Sequence, residues 1–309
     1  MPNTKNSILQ QITFSEITQK EISLYIKRED LIHPEISGNK YRKLKYNIIQ
    51  AKTESKTTLL TFGGAYSNHI AAVAAAGKQH NLKTIGVIRG DELGIDLENT
   101  LANNATLKFA HTCGMQFKFV SRTDYREKTS KGFVDTLRNE FDDFYLIPEG
   151  GTNKLAVKGC EEILNSETDK FDYICVAVGT GGTISGLINS AKKNQKVIGF
   201  PALKGDFLTS EVKKYTKVSD NWSLNTDYHF GGYAKTSQEL IAFINRFKKE
   251  TNIALDPIYT GKMMFGIVDL INKEKFKKGA KILAIHTGGI QGIEGMNAIL
   301  RKKNSLVIE

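Results

Sequence analysis

The sequence has few cysteines, and neither they nor its histidines are spaced like metal ligands. The three cysteines among its 309 residues are far apart in the chain: Cys113, Cys160 and Cys175. Five of the six histidines are likewise separate from one another: His33, His80, His111, His229 and His286. We therefore predict no metal site. An odd number of cysteines, one of them inside an apolar run, indicates packed free thiols and a reducing compartment.

The sequence also lacks long apolar runs. No stretch approaches the roughly 18 apolar residues that a membrane-spanning helix requires. The N-terminal residues 1–6 lead into no apolar segment resembling a signal peptide. We therefore expect a cytoplasmic protein without membrane contact. A Gly-x-Ser-x-Gly elbow is missing as well, so a serine hydrolase triad has no support.

The positive charge of the chain has no nucleic-acid pattern. The net charge is +10, from 43 basic and 33 acidic residues. Most of the basic residues are lysines dispersed among acids, and the densest group precedes an apolar run: Lys273, Lys275, Lys277, Lys278 and Lys281. Nucleic-acid sites usually gather arginines and aromatic residues on one element. We expect a solvated lysine-rich surface that attracts an anionic cofactor and substrate, and no nucleic-acid partner.

Short apolar runs alternate with helical patterns along the chain. The runs that predict strands are 24–27, 58–62, 84–89, 116–120, 144–147, 173–178, 197–200 and 282–285. The helical patterns are 68–79, 97–113, 132–141, 155–165, 184–193, 237–250 and 263–272. Several strands are apolar throughout, as parallel strands buried on both faces should be. The sequence predicts an α/β fold with two open, twisted parallel-sheet domains.

Two glycine-containing turns are the candidate domain boundaries. Residues 148–153 form one of them, and the turn at Gly38 is the other. If both are hinges, residues 39–148 form a smaller α/β domain inserted in a larger domain of residues 1–38 and 149–309. The cleft between two such domains is the usual place for a cofactor.

Lys40 lies in a tight Ser-Gly-Asn turn, where a strand-like segment gives way to a helical pattern. A helix N-terminus lowers the pKa of an ammonium group or holds an anion. This setting prepares a lysine to form a Schiff base with an aldehyde cofactor. A single lysine near a helix start is usually a solvated side chain. Lys43, three residues later on the same helix face, favours a site in which one amine binds the aldehyde and the other binds a phosphate.

A glycine-rich run follows the apolar segment 173–178 and begins a helix. Its residues are Gly179, Thr180, Gly181, Gly182 and Thr183. Small residues leave backbone N–H groups free to face a phosphate. The run lacks the third glycine of a dinucleotide-binding fold and the Gly-Lys-Ser/Thr of a P-loop. A plain strand-to-helix turn is an equal alternative for this run alone, but together with Lys40 it suggests the two anchors of pyridoxal phosphate (PLP).

Three further segments place polar residues where strands end. Ser67 and Asn68 precede a helix, where they either cap it or bind a substrate carboxylate. Tyr259 and Thr260 precede another helix, and they are either site residues or a core aromatic and a cap. Thr287 follows the last strand. The carboxyl ends of parallel strands are where ligands bind in open α/β sheets.

Six motifs in order along nearly the whole chain resemble one family. They are IKREDL (26–31), GNKYRKL (38–44), GGAYSN (63–68), GTGGT (179–183), LDPIYTGK (255–262) and HTGG (286–289). The chain resembles the fold-type II PLP enzymes, whose fold is like that of the tryptophan synthase β subunit. Within them it resembles the D-cysteine desulfhydrases and 1-aminocyclopropane-1-carboxylate (ACC) deaminases. The resemblance implies a homodimer with PLP as its cofactor and a small amino acid as its substrate.

The resemblance also implies roles for single residues. Lys40 matches the lysine that holds PLP covalently. Lys43 matches a residue that contacts the phosphate, and Asn68 matches a residue that contacts the ring hydroxyl. The phosphate loop matches Gly179, Thr180, Gly181, Gly182 and Thr183. Thr260 matches the position facing the pyridine nitrogen, and Thr287 lies near the ring.

The substrate-binding residues are implied in the same way. They match Ser67, Asn68, His69, Tyr233 and Tyr259. Lys40, Ser67 and Tyr259 are the catalytic candidates, and which of them moves the α-proton stays open.

Two threonines indicate the branch of the family. ACC deaminases carry glutamate at the position of Thr260 and leucine at that of Thr287, whereas desulfhydrase-like members carry threonine at both. The resemblance therefore implies α,β-elimination from D-cysteine to pyruvate, ammonia and sulfide. The alternatives are ACC deamination, deamination of another small D-amino acid, and a non-catalytic PLP-binding protein. Residues 201–227, which help to close the cleft in relatives, are shorter here, so the substrate stays open.

Overall fold

Ten strands form two sheets in the computed structural model, which describes residues 4–217 and 220–309. The strands are β1 (Leu9–Gln11), β2 (Ser23–Lys27), β3 (Thr58–Gly64), β4 (Lys83–Arg89), β5 (Met115–Val120), β6 (Tyr145–Ile147), β7 (Tyr173–Val178), β8 (Lys196–Pro201), β9 (Trp222–Leu224) and β10 (Lys281–Ile285). The larger sheet has the order β1-β2-β10-β7-β8-β9, and the smaller one has the order β5-β4-β3-β6. All neighbouring strands are parallel except β1 and β2.

Eleven α-helices within the described residues cover these sheets. They are α1 (Asn39–Thr53), α2 (Asn68–His80), α3 (Leu97–Asn103), α4 (Ala105–Thr112), α5 (Lys131–Phe141), α6 (Lys154–Glu161), α7 (Gly182–Ser190), α8 (Phe207–Lys213), α9 (Gln238–Thr251), α10 (Thr260–Asn272) and α11 (Gly292–Lys302). Each sheet has an apolar core on both of its faces, which explains why its central strands are apolar throughout.

The observed fold confirms the predicted α/β class with two parallel sheets. The smaller sheet uses strands from residues 58–147, and the larger sheet uses strands before residue 28 and after residue 172. The domain ranges 39–148 and 1–38 with 149–309 agree with this division and stay a prediction. None of the helices in 4–217 and 220–309 is both long and apolar enough to cross a membrane.

Some local predictions were wrong. The single helix expected at 97–113 is two helices, because Asn104 is extended (φ −133°, ψ 98°) and its side chain accepts a hydrogen bond from the backbone of Leu107. The helix expected at 155–165 ends at Glu161. The pattern did not predict β1, β9, α8 and α11, and β1 and β9 are three-residue edge strands. Residues 1–3 of the N-terminal segment and 218–219 of the 201–227 segment lie outside the described residues.

The carboxyl ends of β3, β7 and β10 bring the predicted motifs together. Ser67 follows β3, Gly179 follows β7, and Thr287 follows β10. A parallel strand aims its carboxyl end at the same edge as its neighbours, which brings the loops after β7 and β10 together in the larger sheet. The loop after β3 lies against them, since a Cβ atom on Gly289 would lie 3.1 Å from Asn68 Nδ2. Helix α1 begins against the same loops, as the contacts of Lys40 and its neighbours show.

Candidate active site

The turn before Lys40 is fixed against the end of the last strand. Gly38 has a φ of 61°, and a Cβ atom there would lie 1.9 Å from the carbonyl oxygen of Thr287. The backbone N–H of Asn39 donates to that same oxygen at 3.4 Å. Only glycine fits this close approach. The backbone that carries Lys40 is therefore held by Thr287.

The amine of Lys40 has the properties of a nucleophile. Burial, and then the positive charge of Lys43, lower its pKa to about 7. No hydrogen bond or ion pair occupies its Nζ among the residues that the structure describes. An amine that is neutral near pH 7 and has no partner is ready to attack an aldehyde.

Lys43 lies at the centre of an anion-binding cup. Its Nζ donates to the carbonyl oxygen of Gly150 at 3.0 Å, to Thr152 Oγ1 at 3.0 Å and to Thr180 Oγ1 at 3.4 Å. Burial lowers its pKa to about 8. A Cβ atom on Gly182 would lie 2.7 Å from Thr152 Oγ1 and 3.2 Å from Lys43 Nζ. An ammonium and two hydroxyls therefore lie against the glycine-rich loop.

The loop itself is built as a helix start. Gly181 precedes α7 with a φ of 83°, in the left-handed region that favours glycine. The side-chain amide of Asn39 donates to Thr183 Oγ1 at 2.7 Å, which joins the first turns of α1 and α7. The first N–H groups of α7 have no partners within the helix and attract an anion. The cup accordingly suits a phosphate group.

Ser67 is the N-cap of α2, and its hydroxyl keeps a free function. Its Oγ accepts a hydrogen bond from the backbone of Ile70 at 3.3 Å. A hydroxyl that accepts through a lone pair still has its proton to donate. The cap and the substrate contact, which are alternatives in the sequence, are therefore compatible.

Asn68 has an unused polar atom that is enclosed by the site. Its Oδ1 is buried and has no hydrogen-bond partner within the described part of the chain. A Cβ atom on Gly289 would lie 3.1 Å from its Nδ2. Buried amides are rarely left unpaired, so this one is available to a polar group of a ligand. Together with the amine of Lys40 and the cup around Lys43, it gives a set of groups that fits PLP.

His69 is buried, whereas Ser67 and Asn68 directly before it are partly exposed. Its Nε2 is 2.8 Å from Thr61 Oγ1, and its ring lies beneath Gly151. Burial and the charges of Lys40 and Lys43 hold its pKa well below the usual range. The imidazole is therefore neutral. Its role in substrate binding stays a prediction.

Two tyrosines pack against each other, edge to face, beside the glycine-rich loop. The rings of Tyr233 and Tyr259 are 6.3 Å apart at 63°. A Cβ atom on Gly179 would lie 3.2 Å from the ring of Tyr259. Burial, and then Tyr233 and Asp256, raise the pKa of Tyr259 well above the usual value. Its phenol is therefore protonated at neutral pH and is a weaker acid than an ordinary tyrosine.

Asp256 is a site residue whose role was not predicted. One carboxylate oxygen accepts from the backbone of Ile258 and Tyr259, and the other accepts from the backbone and the hydroxyl of Thr260, at 2.7–2.9 Å. Thr260 Oγ1 in turn accepts from the backbone of Asp256 at 2.9 Å. Thr260 is fully buried, and its hydroxyl proton is given to Asp256. The position of an aspartate four residues before a helix was the available sequence signal.

Comparisons with known proteins agree with this geometry. The model of the family described as "Pyridoxal-phosphate dependent enzyme" matches residues 5–288. The chain belongs to this family. It is therefore a PLP-dependent enzyme, and PLP is its cofactor, as the pairing of Lys40 with the cup around Lys43 predicts.

Similar proteins indicate which group of PLP enzymes this protein resembles. The bifunctional D-cysteine desulfhydrase/ACC deaminase of Arabidopsis thaliana is 33% identical over 294 residues, which cover 87% of this chain and 73% of the relative. A putative ACC deaminase of Pyrococcus horikoshii is 33% identical over 287 residues, which cover 87% of this chain and 85% of the relative. A solved ACC deaminase homologue has a TM-score of 0.80 and 29% identity, covering 97% of both chains.

These relatives confirm the predicted resemblance to the D-cysteine desulfhydrases and ACC deaminases taken together, and the predicted enzyme type. The protein is a lyase or deaminase of the ACC deaminase/D-cysteine desulfhydrase family. The non-catalytic alternative is thereby set aside. The individual site roles, the homodimer and the cytoplasmic location stay predictions.

The pKa of Lys40 gives a testable pH dependence. With a pKa of about 7, its neutral fraction rises from about a tenth at pH 6 to about nine tenths at pH 8. We expect the rate at which the cofactor-free enzyme takes up PLP to rise about tenfold over this range and then level off. Absorbance of the bound cofactor after rapid mixing measures this rate. A rate that is flat from pH 6 to 8 would contradict the prediction.

Proposed function

We propose that the enzyme catalyses α,β-elimination from a small amino acid, with D-cysteine as its main substrate, to give pyruvate, ammonia and sulfide. The observation that carries this proposal is the state of Thr260. Its hydroxyl donates to Asp256 at 2.7 Å and carries no charge, whereas the resemblance implies a carboxylate at this position in the ACC deaminases. Expulsion of thiolate needs less electron withdrawal than opening of a cyclopropane ring.

The cofactor would be held by groups that lie on the same set of loops. Lys40 would hold its aldehyde carbon, Asn68 would bind the ring hydroxyl, and Lys43 with the start of α7 would bind the phosphate. When bound, PLP withdraws electrons from Cα of the amino acid.

The remaining residues bind the substrate and move protons. The Ser67 hydroxyl and the N-terminus of α2 would bind the substrate carboxylate. The amine of Lys40 is neutral above about pH 7 and would accept the α-proton. The phenol of Tyr259 stays protonated at neutral pH and would donate a hydrogen bond to the departing sulfur. These protonation states support a division of roles in which Lys40 is the base and Tyr259 is a hydrogen-bond donor.

ACC deamination is the second candidate. It is supported by the names of the relatives, one of which is bifunctional and another a putative ACC deaminase. The same cup and lysine would serve both reactions, so only the environment of the pyridine ring distinguishes them. Thr260 favours elimination.

A substrate panel separates the two candidates. We expect pyruvate and sulfide from D-cysteine, pyruvate from β-chloro-D-alanine, less product from L-cysteine, and at most a trace of 2-oxobutyrate from ACC. The measurements are coupled assays for the oxo acids and a colorimetric assay for sulfide. Turnover of ACC comparable to that of D-cysteine would replace our proposal with the deaminase function.

The two functions of Ser67 are separable with a pair of variants. Glycine retains most of the stability of an N-cap, whereas alanine loses about 1 kcal/mol. Both remove the hydroxyl, and loss of a hydrogen bond to a charged group lowers binding by about 1.5–3 kcal/mol. We expect Ser67→Gly and Ser67→Ala to lose kcat/KM equally, at least about tenfold, while only Ser67→Ala loses stability on thermal unfolding. Unchanged kcat/KM in both variants would leave Ser67 as a cap alone.

A further inference from the structure

A strained loop precedes α9 and carries Tyr233. Its backbone has positive φ angles at Phe230 (51°), Gly231 (88°), Gly232 (111°) and Ala234 (56°). Non-glycine residues rarely adopt this region, and two of the four are not glycines. A conformation of this kind persists only where surrounding contacts hold it. Tyr233 lies between the strained positions, so its location depends on those contacts.

Lys262 provides the contact on the Tyr233 side of the loop. It is the third residue of α10, and its side chain is 2% exposed. Its Nζ donates to the carbonyl oxygen of His229 at 2.9 Å and to that of Gly232 at 2.8 Å. The two oxygens lie at either end of the strained turn. The backbone N–H of Gly232 also donates to the His229 carbonyl oxygen, at 3.0 Å, so the ammonium group braces a turn that its own backbone closes immediately before Tyr233.

Lys262 is an unfavourable residue for stability alone. Burial lowers its pKa to about 8, against the opposing effect of Asp256. A lowered lysine pKa means that the unfolded chain binds the proton more tightly than the folded one. The buried charge therefore reduces the free energy of unfolding in full below about pH 8, and this loss disappears as the pH rises to the usual lysine pKa of 10.5. Aliphatic residues at such sites avoid this loss. The charge therefore has a role besides packing.

The loop is joined to the catalytic side of the cleft through the same helix. Tyr259 directly precedes α10, and Tyr233 packs edge-on against it. Phe230 packs on Phe265 of α10 with ring centroids 5.0 Å apart, which anchors the other side of the loop. Lys262 thus links the backbone before Tyr233 to the helix that begins beside Tyr259.

We propose that Lys262 is a positioning residue that holds Tyr233 against Tyr259 and thereby sets the affinity of the enzyme for its amino-acid substrate. This inference rests on the proposed function and on the substrate contacts that the resemblance implies for Tyr233 and Tyr259. Lys262 itself does not touch the reacting atoms. Its effect passes through Tyr233.

The first test is hydrogen–deuterium exchange on the purified holoenzyme. We expect Lys262→Met to speed amide exchange in residues 229–235 at least about tenfold, because the turn loses both hydrogen bonds from the ammonium group and keeps only those within the loop. Gln195→Met is the matched control. Gln195 is 2% exposed and also donates to two carbonyl oxygens, of Thr168 at 2.8 Å and Phe171 at 3.0 Å. It lies directly before the N-terminal end of β8, whereas the candidate site lies at the carboxyl ends of the strands. It should leave exchange in 229–235 unchanged. Lys262→Gln, which keeps a donor, is the second variant if the methionine variant does not fold.

The second test is kinetic. We expect Lys262→Met to raise KM for D-cysteine about tenfold and to change kcat less than about threefold, since positioning affects binding of the substrate. In a double-mutant cycle with Tyr233→Ala, the double variant should be no worse than Tyr233→Ala alone, because both changes remove the same interaction. Gln195→Met should lower thermal stability and leave KM unchanged.

The two tests fail in distinguishable ways. Unchanged exchange in 229–235, a raised exchange with unchanged KM, or additive losses in the cycle would each overturn the role of Lys262. If the unmutated enzyme turns over none of the amino acids tested, the proposed function fails and the role in substrate affinity falls with it. The exchange data then still decide whether Lys262 holds the loop.

Discussion

Replacement of Lys40 by alanine is expected to lower kcat/KM by at least about a thousandfold, because the variant loses both its general base and its covalent anchor for the cofactor. Fold and phosphate binding should remain, since the cup around Lys43 uses other side chains. The matched control is Lys52→Ala at the exposed end of the same helix. It should retain full activity.

Reduction with borohydride gives the direct measurement. In the unmutated enzyme we expect a yellow protein in which reduction fixes the cofactor on Lys40, identified by peptide mass. In Lys40→Ala, PLP should bind reversibly and wash out on dialysis. An adduct on another lysine, or an alanine variant with near-normal turnover, would show that the turn at Gly38 does not present the reactive amine.

The residues of the cup illustrate what sequence reasoning reaches. The geometry of the glycine-rich loop was predictable because it is a local feature, a helix start behind a strand. The turn before Lys40 was predictable for the same reason, and the roles of both in binding the cofactor stay predictions. In both cases the chemistry depends on residues that are adjacent in the chain, so the pattern is visible without the fold.

The partners of these residues were not predictable. Lys43 binds Gly150 and Thr152, which are more than 100 residues away, and nothing in either segment indicates the other. The same holds for Lys262, whose partners lie about 30 residues earlier. Long-range contacts follow from how the two sheets and their helices pack, and this packing cannot be read from the spacing of residues along the chain.

Thr260 shows where a resemblance needs the structure. Its identity distinguishes it from the glutamate of the ACC deaminases, but its chemistry depends on Asp256, to which it gives its proton. Its location opposite the pyridine nitrogen stays a prediction. If the prediction holds, the ring meets an uncharged hydroxyl where the ACC deaminases have a carboxylate, which is consistent with weaker electron withdrawal.

Asp256→Ala is expected to lower both stability and activity. The buried carboxylate accepts four hydrogen bonds at the start of α10, and an unsatisfied buried donor is costly. We expect the free energy of unfolding to fall by about 3 kcal/mol or more. Tyr259 would lose the contact that fixes its backbone, and because small misplacements in an active site are expensive, kcat/KM should fall at least about a hundredfold. Denaturant unfolding and steady-state kinetics measure the two effects.

A second aspartate cap serves as the control for this prediction. Asp96 caps α3 with one hydrogen bond at 3.0 Å to the backbone of Asn99, at an exposed site. Asp96→Ala should lower stability by about 1 kcal/mol and leave kcat/KM unchanged. Asp256→Asn should be intermediate, since its amide keeps one acceptor oxygen but turns an NH₂ group toward the donors of Thr260. If Asp256→Ala loses stability but keeps its kcat/KM, the carboxylate only caps the helix, and the start of α10 does not set the position of Tyr259.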